Sequence, residues 1–286
     1  MNVNIGNPGT VSRILWHFTG GPSWNIEKNK QHKKPKPANI AFEYLINILK
    51  TKTLKLGKYA ELLEITVPDF QIFNKETGEF EDAPNFKYTI SSSPVCCLAD
   101  VPIMHLEYIA ERYGKFAIGF HRDSIINSGF NPVLYTINDK HIVKNLFRGF
   151  VNLERLSPLM LKESVANLKV KVKDVYGDKL LLHELESIFN EITTIDRDIR
   201  DALDGLSQLL AFVKIFDESE FHTVYCEREW RSIREYNFDY SDIALIVIPK
   251  KVWNKNYFTE FCDKQIDLIK IPKIIPVVPW EDIIEY

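Results

Sequence analysis

The sequence has few of the features that assign a chain to a chemical class at sight. It has no apolar run of about 18 residues, which argues against a membrane-spanning helix. Its 4 cysteines are too few for a disulfide framework, and no Cys-x-x-Cys or paired-histidine spacing indicates a metal site. Its first residues lack the basic flank and apolar stretch of a signal peptide. We therefore expect a reduced, cytoplasmic protein with no bound metal and no membrane partner.

The common nucleotide and nucleophile motifs are missing as well. No G-x-x-x-x-G-K-[ST], G-x-G-x-x-G or G-x-S-x-G occurs, so the chain shows no P-loop, Rossmann or nucleophile-elbow signature. A net charge of −3 gives no overall basic field for nucleic acid, although the lysine-rich stretch at residues 28–36 could contact phosphates. The alternative for that stretch is a solvated loop. The composition, 45% hydrophobic and 26% charged, is typical of a soluble globular protein.

Hydrophobic periodicity predicts strands and helices in an α+β arrangement. The first half alternates between predicted strands at 11–19, 94–100, 115–120 and 132–137 and predicted helices at 40–51 and 102–114. Residues 52–93 contain short strand-like pieces around EITV and FQIF. Residues 138–216 are mostly helical, interrupted by a hairpin or loop at 169–179, and then strands return, the last of them in the segments IDLIKI and KIIPVV. We predict one domain over residues 1–286, with a mixed sheet built by both ends and a mainly helical insertion at about 139–217.

The segment LWHFTGG is the first candidate for a ligand site. A strand ending in His17 and Thr19, followed by Gly20 and Gly21, would present an imidazole and a hydroxyl at the mouth of a loop. Glycines at that point let the backbone approach a ligand closely. The alternative is that His17 belongs to the core and hydrogen-bonds to the backbone.

The segment EREWR is the second candidate. If it is one strand, Tyr225, Glu227, Glu229 and Arg231 share a face, since side chains alternate along a strand. Two neighbouring carboxylates suit hydrogen bonding to sugar hydroxyls and stabilisation of positive charge at an anomeric carbon. The alternative is a solvent-facing strand with glutamate–arginine pairs.

The segment CCLADVPIMHLEYIAERYGKFAIGF reads as strand, helix and strand. Asp100 stands where a helix N-cap is expected. Arg112 and Tyr113 precede the glycine turn at Gly114, where a cation for a phosphate and an aromatic ring for a ligand would be available. Cys96 and Cys97, adjacent in an apolar run, read as core residues.

Taken in order, these motifs resemble a known family. The segments LWHFTGG, A-x-x-x-L-x-x-I-L-x-T-x-x-L-x-L-G, CCLADVPI, ERYGKFAIGFHRDSI, PVLY and EREWR are similar to those of the AbiGi abortive phage-resistance proteins. The likeness covers about residues 13–150 and 215–250. Members of that family are commonly described as the antitoxin-like half of a two-gene system.

The opening segment also resembles DarT-type ADP-ribosyltransferases. That resemblance implies an ADP-ribosyltransferase-like split mixed sheet and NAD as substrate. It assigns catalysis to Glu229 with Glu227 in support, and NAD binding to His17, Thr19 and Tyr113. For the residue that stacks on nicotinamide, the stretch at 91–97, Tyr113 and Tyr135 remain alternatives.

Two functions from different classes follow. The first is a toxin-type ADP-ribosyltransferase of phage defence that transfers ADP-ribose from NAD to a macromolecule, with a nucleic-acid base as one candidate acceptor. The second is a non-catalytic, antitoxin-like partner that binds a cognate toxin protein. The two differ in geometry, because the enzyme requires His17 and Glu229 to line one cleft.

Overall fold

The computed structural model describes most of the chain, including the segments near both ends that were predicted to build the sheet. The described residues are 12–25, 30–31, 34–57, 62–73, 77–137, 145–146, 148–151, 153, 182–216 and 225–284. The strands are β1 Ile14–Phe18, β2 Trp24–Asn25, β3 Lys30–Gln31, β4 Thr53–Leu54, β5 Leu62–Phe73, β6 Phe80–Ser91, β7 Cys96–Ala99, β8 Ala117–His121, β9 Asn131–Pro132, β10 Leu134–Ile137, β11 Val213–Phe216, β12 Glu229–Ser232, β13 Tyr236–Asn237, β14 Ile243–Ile248 and β15 Val277–Pro279. The helices are α1 Ala38–Thr51, α2 Leu106–Tyr113, α3 Arg122–Asn127, α4 Leu182–Leu210, α5 Tyr257–Glu260, α6 Ile266–Ile269 and α7 Trp280–Ile284.

The chain divides into two compact units. The first comprises residues 1–60, 94–135 and 216–286, and the second comprises 61–93 and 136–215. The prediction of a single domain, with its insertion at about 139–217, stays a prediction, because residues 154–181 lie outside those described. The stretch at 169–179, predicted as a hairpin or loop, lies outside them as well.

A seven-stranded mixed sheet forms the first unit. Its order is β15-β14-β8-β1-β7-β12-β9. β14 and β15 run parallel, and β8, β1, β7 and β12 join by antiparallel pairing. The predicted α+β class with a mixed sheet from both ends of the chain is therefore confirmed.

Both faces of this sheet are covered by apolar packing. Leu15 of β1 and Ile118 of β8 belong to the larger cluster, together with Leu45 and Leu49 of α1. Trp16, the residue after Leu15, belongs to the other cluster, with Leu106, Ile109, Ala117, Val247 and Trp280. Adjacent residues of β1 thus enter opposite cores, as expected of a strand buried on both sides.

The local predictions hold in much of this unit, and one that fails concerns the segment IDLIKI. Helix α1 agrees with the expected amphipathic helix, and Gly114 ends α2 with φ +75°. The segment IDLIKI, predicted as a strand, instead contains α6. A π-helical turn at Phe261–Gln265 continues the chain from α5 to α6. Tyr257, Phe261 and Ile269 all face the larger core, so helical rather than alternating spacing buries them.

The second unit contains a long hairpin and a long helix. β5 and β6 pair from Leu62↔Ser91 to Phe73↔Phe80. The short strand-like pieces predicted around EITV and FQIF are therefore one strand, β5. Helix α4 has 29 residues, which confirms helical structure in the later part of the predicted insertion. Among the described helices, none has both the length and the apolar character to cross a membrane.

Gly119 of β8 allows close packing at the centre of the sheet. It pairs with Trp16, and a Cβ there would stand 2.7 Å from Cγ2 of Ile14 and 2.9 Å from Cζ3 of Trp16. We expect Gly119→Ala to lower the free energy of unfolding by about 1–3 kcal/mol, because the buried indole must shift.

Gly205→Ala is the matched control for this prediction. Gly205 lies in α4, and a Cβ there would have no atom within 4 Å. Alanine at that position is expected to leave stability unchanged or raise it by about 0.5–1 kcal/mol. Denaturant titration of both variants measures the difference. Equal stability of Gly119→Ala and the wild type would contradict the packing described.

Candidate functional site

The EREWR segment is not one continuous strand. Tyr225–Glu227 forms a 3₁₀ turn, Arg228 has φ +45°, and β12 begins only at Glu229. The amide of Arg228 donates to the carbonyl of Tyr225 at 3.2 Å, and the Arg228 carbonyl accepts from the amide of Asp100 at 3.1 Å. The left-handed residue breaks the alternation, so the prediction that Tyr225, Glu227, Glu229 and Arg231 share a strand face is wrong.

Glu229 is held by an arginine two residues along its own strand. Nε and NH2 of Arg231 donate to Oε1 and Oε2 of Glu229, at 3.0 and 2.9 Å. Arg231 is fully buried and Glu229 is 8% exposed. Such a two-point pair is the strongest geometry for an arginine and a carboxylate. Both oxygens that catalysis would require therefore accept hydrogen bonds from a buried guanidinium.

Glu227 is held in a separate cluster at the end of α2. Its Oε1 accepts from NH1 of Arg112 at 2.9 Å and from the hydroxyl of Tyr113 at 3.0 Å. Glu227 is 4% exposed. Arg112 and Tyr113, predicted to serve a ligand, thus both contact this carboxylate. The glutamate–arginine pairing considered for a surface strand does occur, but in buried surroundings.

Asp100 joins two further arginines. Its Oδ1 lies 2.7 Å from NH2 of Arg122, and its Oδ2 lies 3.0 Å from NH2 of Arg228. The helical turn that follows has Pro102 at its N-cap and no side-chain cap, so the predicted N-cap role of Asp100 is wrong. The side chain of Asp100 is only 6% exposed. A carboxylate buried to this extent requires cationic partners, and the two arginines provide them.

His17 and Glu229 point to opposite faces of the sheet. Ala99 of β7 pairs with Trp16 on one side and with Glu229 on the other. Paired residues share a face, so Glu229 lies on the side of Trp16. His17 follows Trp16 on β1 and points the other way. The expectation that His17 and Glu229 line one cleft is therefore wrong.

His17 and Thr19 contact backbone carbonyls. Nδ1 of His17 lies 3.2 Å from the carbonyl of Cys97, which is the backbone hydrogen bond considered in the alternative, although His17 is only partly buried. The hydroxyl of Thr19 donates to the carbonyl of Ala41 at 2.7 Å, and Thr19 is buried. Neither contact tests a role in NAD binding, so the NAD-binding roles of His17, Thr19 and Tyr113 stay predictions.

Gly20 serves close packing within the protein. A Cβ on Gly20 would stand 2.6 Å from the carbonyl oxygen of Tyr113 and 3.4 Å from Cα of Gly114. The carbonyl of Gly20 accepts from Lys36 N at 2.8 Å. The close backbone approach expected at LWHFTGG therefore occurs, and its partner is the turn after α2.

Burial controls the protonation of His17 and of the adjacent cysteines Cys96 and Cys97. Burial lowers the pKa of His17, and nearby Lys36 lowers it further against the hydrogen bond to Cys97. The imidazole is neutral near pH 7, and its Nδ1 carries the proton because a carbonyl can only accept. Burial raises the pKa of Cys96 to about 12 and raises that of Cys97, where Glu229 adds to the effect. Both thiols stay protonated. Cys96 lies in the core, as predicted, whereas Cys97 is only partly buried.

Sequence reasoning singled out Arg112 as a cation for a ligand but missed Arg122, which contacts Asp100. Arg122, at the start of α3, donates from Nε to the Ser12 carbonyl at 2.6 Å and lies 5.3 Å from the Trp230 ring. Its only sequence signal was its place after a predicted strand. In the described part of the chain, no group of three histidine, cysteine, aspartate or glutamate side chains could hold a metal ion.

Comparison with known proteins assigns the family. The site consists of acidic side chains that are ion-paired with arginines on a mixed sheet. No solved structure matches the chain, so the ADP-ribosyltransferase fold stays a prediction. The family model described as "Putative abortive phage resistance protein AbiGi, antitoxin" matches residues 60–272, about three quarters of the chain. The chain belongs to this AbiGi family.

A curated relative agrees with this assignment. The abortive phage resistance protein AbiGi of Lactococcus lactis subsp. cremoris is 27% identical over 156 residues. The matched region covers 51% of this chain and 53% of the relative, so the chain spans about half the length of that protein.

The Glu229–Arg231 pair provides a stability prediction. Arg231→Met leaves a buried carboxylate without its guanidinium, and we expect a loss of about 3–5 kcal/mol in the free energy of unfolding. Replacing both residues, as Glu229→Leu with Arg231→Met, is expected to restore most of that loss, because no buried charge remains. Urea titration measures both variants.

The exposed pair Arg197–Asp198 supplies the control. Its atoms are 3.6 Å apart and the side chains are 70% and 65% exposed. Arg197→Met is expected to change stability by less than about 1 kcal/mol. If Arg231→Met costs no more than this control, the buried pair does not stabilise the fold as described.

The lowered pKa of His17 predicts acid sensitivity. Below the ordinary value of 6.5 the unfolded chain binds a proton that the folded chain still excludes, so the free energy of unfolding falls as pH falls from 6.5 toward the folded pKa. His17→Asn keeps a donor for the Cys97 carbonyl and has no titrating ring. We expect a shallower pH dependence for this variant in urea titrations between about pH 7 and 5. Parallel curves would contradict the shift.

Proposed function

We propose that this chain is the antitoxin-like partner of an abortive-infection toxin–antitoxin pair and acts by binding its cognate toxin. The family description supports this, since it names an antitoxin. The structural observation that carries the proposal is the engagement of Glu227 and Glu229 by buried or half-buried arginines.

This engagement opposes ADP-ribose transfer on electrostatic grounds. A catalytic glutamate in that reaction must stabilise positive charge that develops on the nicotinamide ribose. The guanidinium of Arg231 already neutralises Glu229 at 2.9 and 3.0 Å, and would repel such a charge. His17, which the enzyme hypothesis assigns to NAD binding, lies on the opposite face of the sheet from Glu229. Glu229 and Glu227 are therefore structural carboxylates in our proposal.

The first test is rescue of growth. The candidate toxin is the product of the neighbouring gene, and we expect its toxicity in a bacterial host to be relieved when this chain is co-expressed. Purified toxin and this chain should co-elute as a complex. Continued toxicity with abundant soluble chain, together with no complex, would refute the proposal.

The second test separates binding from catalysis. Glu227→Gln keeps an oxygen that can accept from Arg112 and Tyr113 but removes the charge. We expect this variant to relieve toxicity as well as the wild type does at equal soluble level. We also expect neither protein to release nicotinamide from NAD in the presence of nucleic acid or protein from phage-infected cells. Nicotinamide release by the wild type that Glu227→Gln or Glu229→Gln abolishes would establish the transferase instead.

A further inference from the structure

The turn that follows β14 carries an unusual tryptophan. Val252 and Lys255 close a two-residue hairpin through reciprocal backbone hydrogen bonds of 3.1 and 3.2 Å. Trp253 occupies the first central position with φ +54° and is 92% exposed. Positive φ at the first of two central residues is the pattern of a type II′ turn, where glycine is the favoured residue.

Trp253 contributes little to the stability of the folded chain. Its indole buries almost no surface, so it adds little hydrophobic stabilisation. Its backbone conformation is one that bulky residues rarely adopt, and glycine would relieve it. Strained backbone of this kind concentrates at functional positions, and tryptophan is one of the residue types enriched among the anchors of protein interfaces.

The turn presents the indole from a fixed base. Lys255 lies 3.1 Å from Glu260, and its ammonium stands 4.8 Å from the ring centre of Tyr257 and 5.5 Å from that of Phe42. Phe42 and Tyr257 are both in the larger core of the first unit. Because these contacts hold the turn against the core, it loses little conformational entropy on binding, which favours affinity.

The charge around the turn favours a protein pocket over an anionic surface. Lysines 250, 251 and 255 flank Trp253, but carboxylates of the same unit balance them. Lys250 contacts Asp282 through its ammonium and Glu281 through its backbone amide. Lys255 contacts Glu260. Nucleic acid and acidic lipid require an excess of positive charge, which this balanced surface does not offer.

We propose that Trp253 is the anchor by which this chain docks on its toxin, its indole entering an apolar pocket that offers an oxygen acceptor to the ring N–H. This rests on the toxin-binding function proposed above. The pocket belongs to the toxin, and the turn Val252–Lys255 is the part of this chain that enters it.

Trp253→Gly tests the proposal because folding and binding should respond in opposite directions. Glycine relieves the positive φ, so the unfolding midpoint is expected to stay equal or rise by about 1–3 °C. Binding to the purified toxin, measured by calorimetry, is expected to weaken at least about 30-fold, the loss typical of an interface anchor. Rescue of growth should weaken in parallel.

Lys270→Gly is the matched control. Lys270 is also an exposed residue other than glycine with positive φ, +61°, and it ends α6. Glycine there relieves the same type of strain without removing an aromatic ring, so toxin affinity is expected to stay at the wild-type value. Equal affinity of Trp253→Gly and Lys270→Gly for the toxin would overturn the proposal.

The remaining outcomes separate this inference from the function on which it rests. If the wild type itself neither binds the toxin nor relieves its toxicity, the proposed function fails, and the docking assignment with it. If the wild type binds and Trp253→Gly binds equally well, only the docking assignment fails. Loss of affinity for phosphatidylglycerol vesicles, for duplex DNA or for a second copy of this chain, with toxin binding intact, would assign Trp253 to another surface and overturn the proposal.

Discussion

The left-handed backbone of Arg228 determines the chemistry of the acidic segment in which it lies. A continuous strand would stack Glu227 and Glu229 on one face, where two carboxylates repel unless a cation or ligand lies between them. The turn at Arg228 instead sends Glu227 to Arg112 and Tyr113 and leaves Glu229 to Arg231. Arg228 itself reaches Asp100. One residue with positive φ thus allows each of these carboxylates to form an ion pair with a different arginine. The segment therefore stabilises the fold.

Several parts of this structure could be predicted from the sequence because they depend on local pattern. The amphipathic helix α1, the strand β1 and the glycine that ends α2 each follow from periodicity or from a residue with special backbone freedom. The core placement of Cys96 followed from its apolar neighbours, although the adjacent Cys97 is only partly buried. The segment IDLIKI failed because its apolar residues fit a short strand as well as a helix, and packing onto the larger core selected the helix.

The candidate site was less predictable because it depends on register between strands distant in sequence. The position of Glu229 relative to His17 is decided by Ala99, which pairs with Trp16 and with Glu229. A shift of one residue in either pairing would have brought the two side chains to one face. Composition and spacing contain no measure of that register. The pairing of Arg112 with Glu227 and of Arg122 with Asp100 was missed for the same reason, since these side chains approach each other only in the folded chain.

The order of strands in the main sheet also has a kinetic consequence. Its neighbours are far apart in the chain: β1 pairs with β8 about one hundred residues later, and β8 pairs with β14 more than one hundred residues after that. Topologies dominated by such distant contacts fold slowly, because loop closure must precede the contacts that reward it. During synthesis, β1 and β8 must wait for β14 to emerge from the ribosome before the centre of the sheet is complete. A newly made chain therefore acquires its full sheet only after β15, Val277–Pro279, has been synthesised.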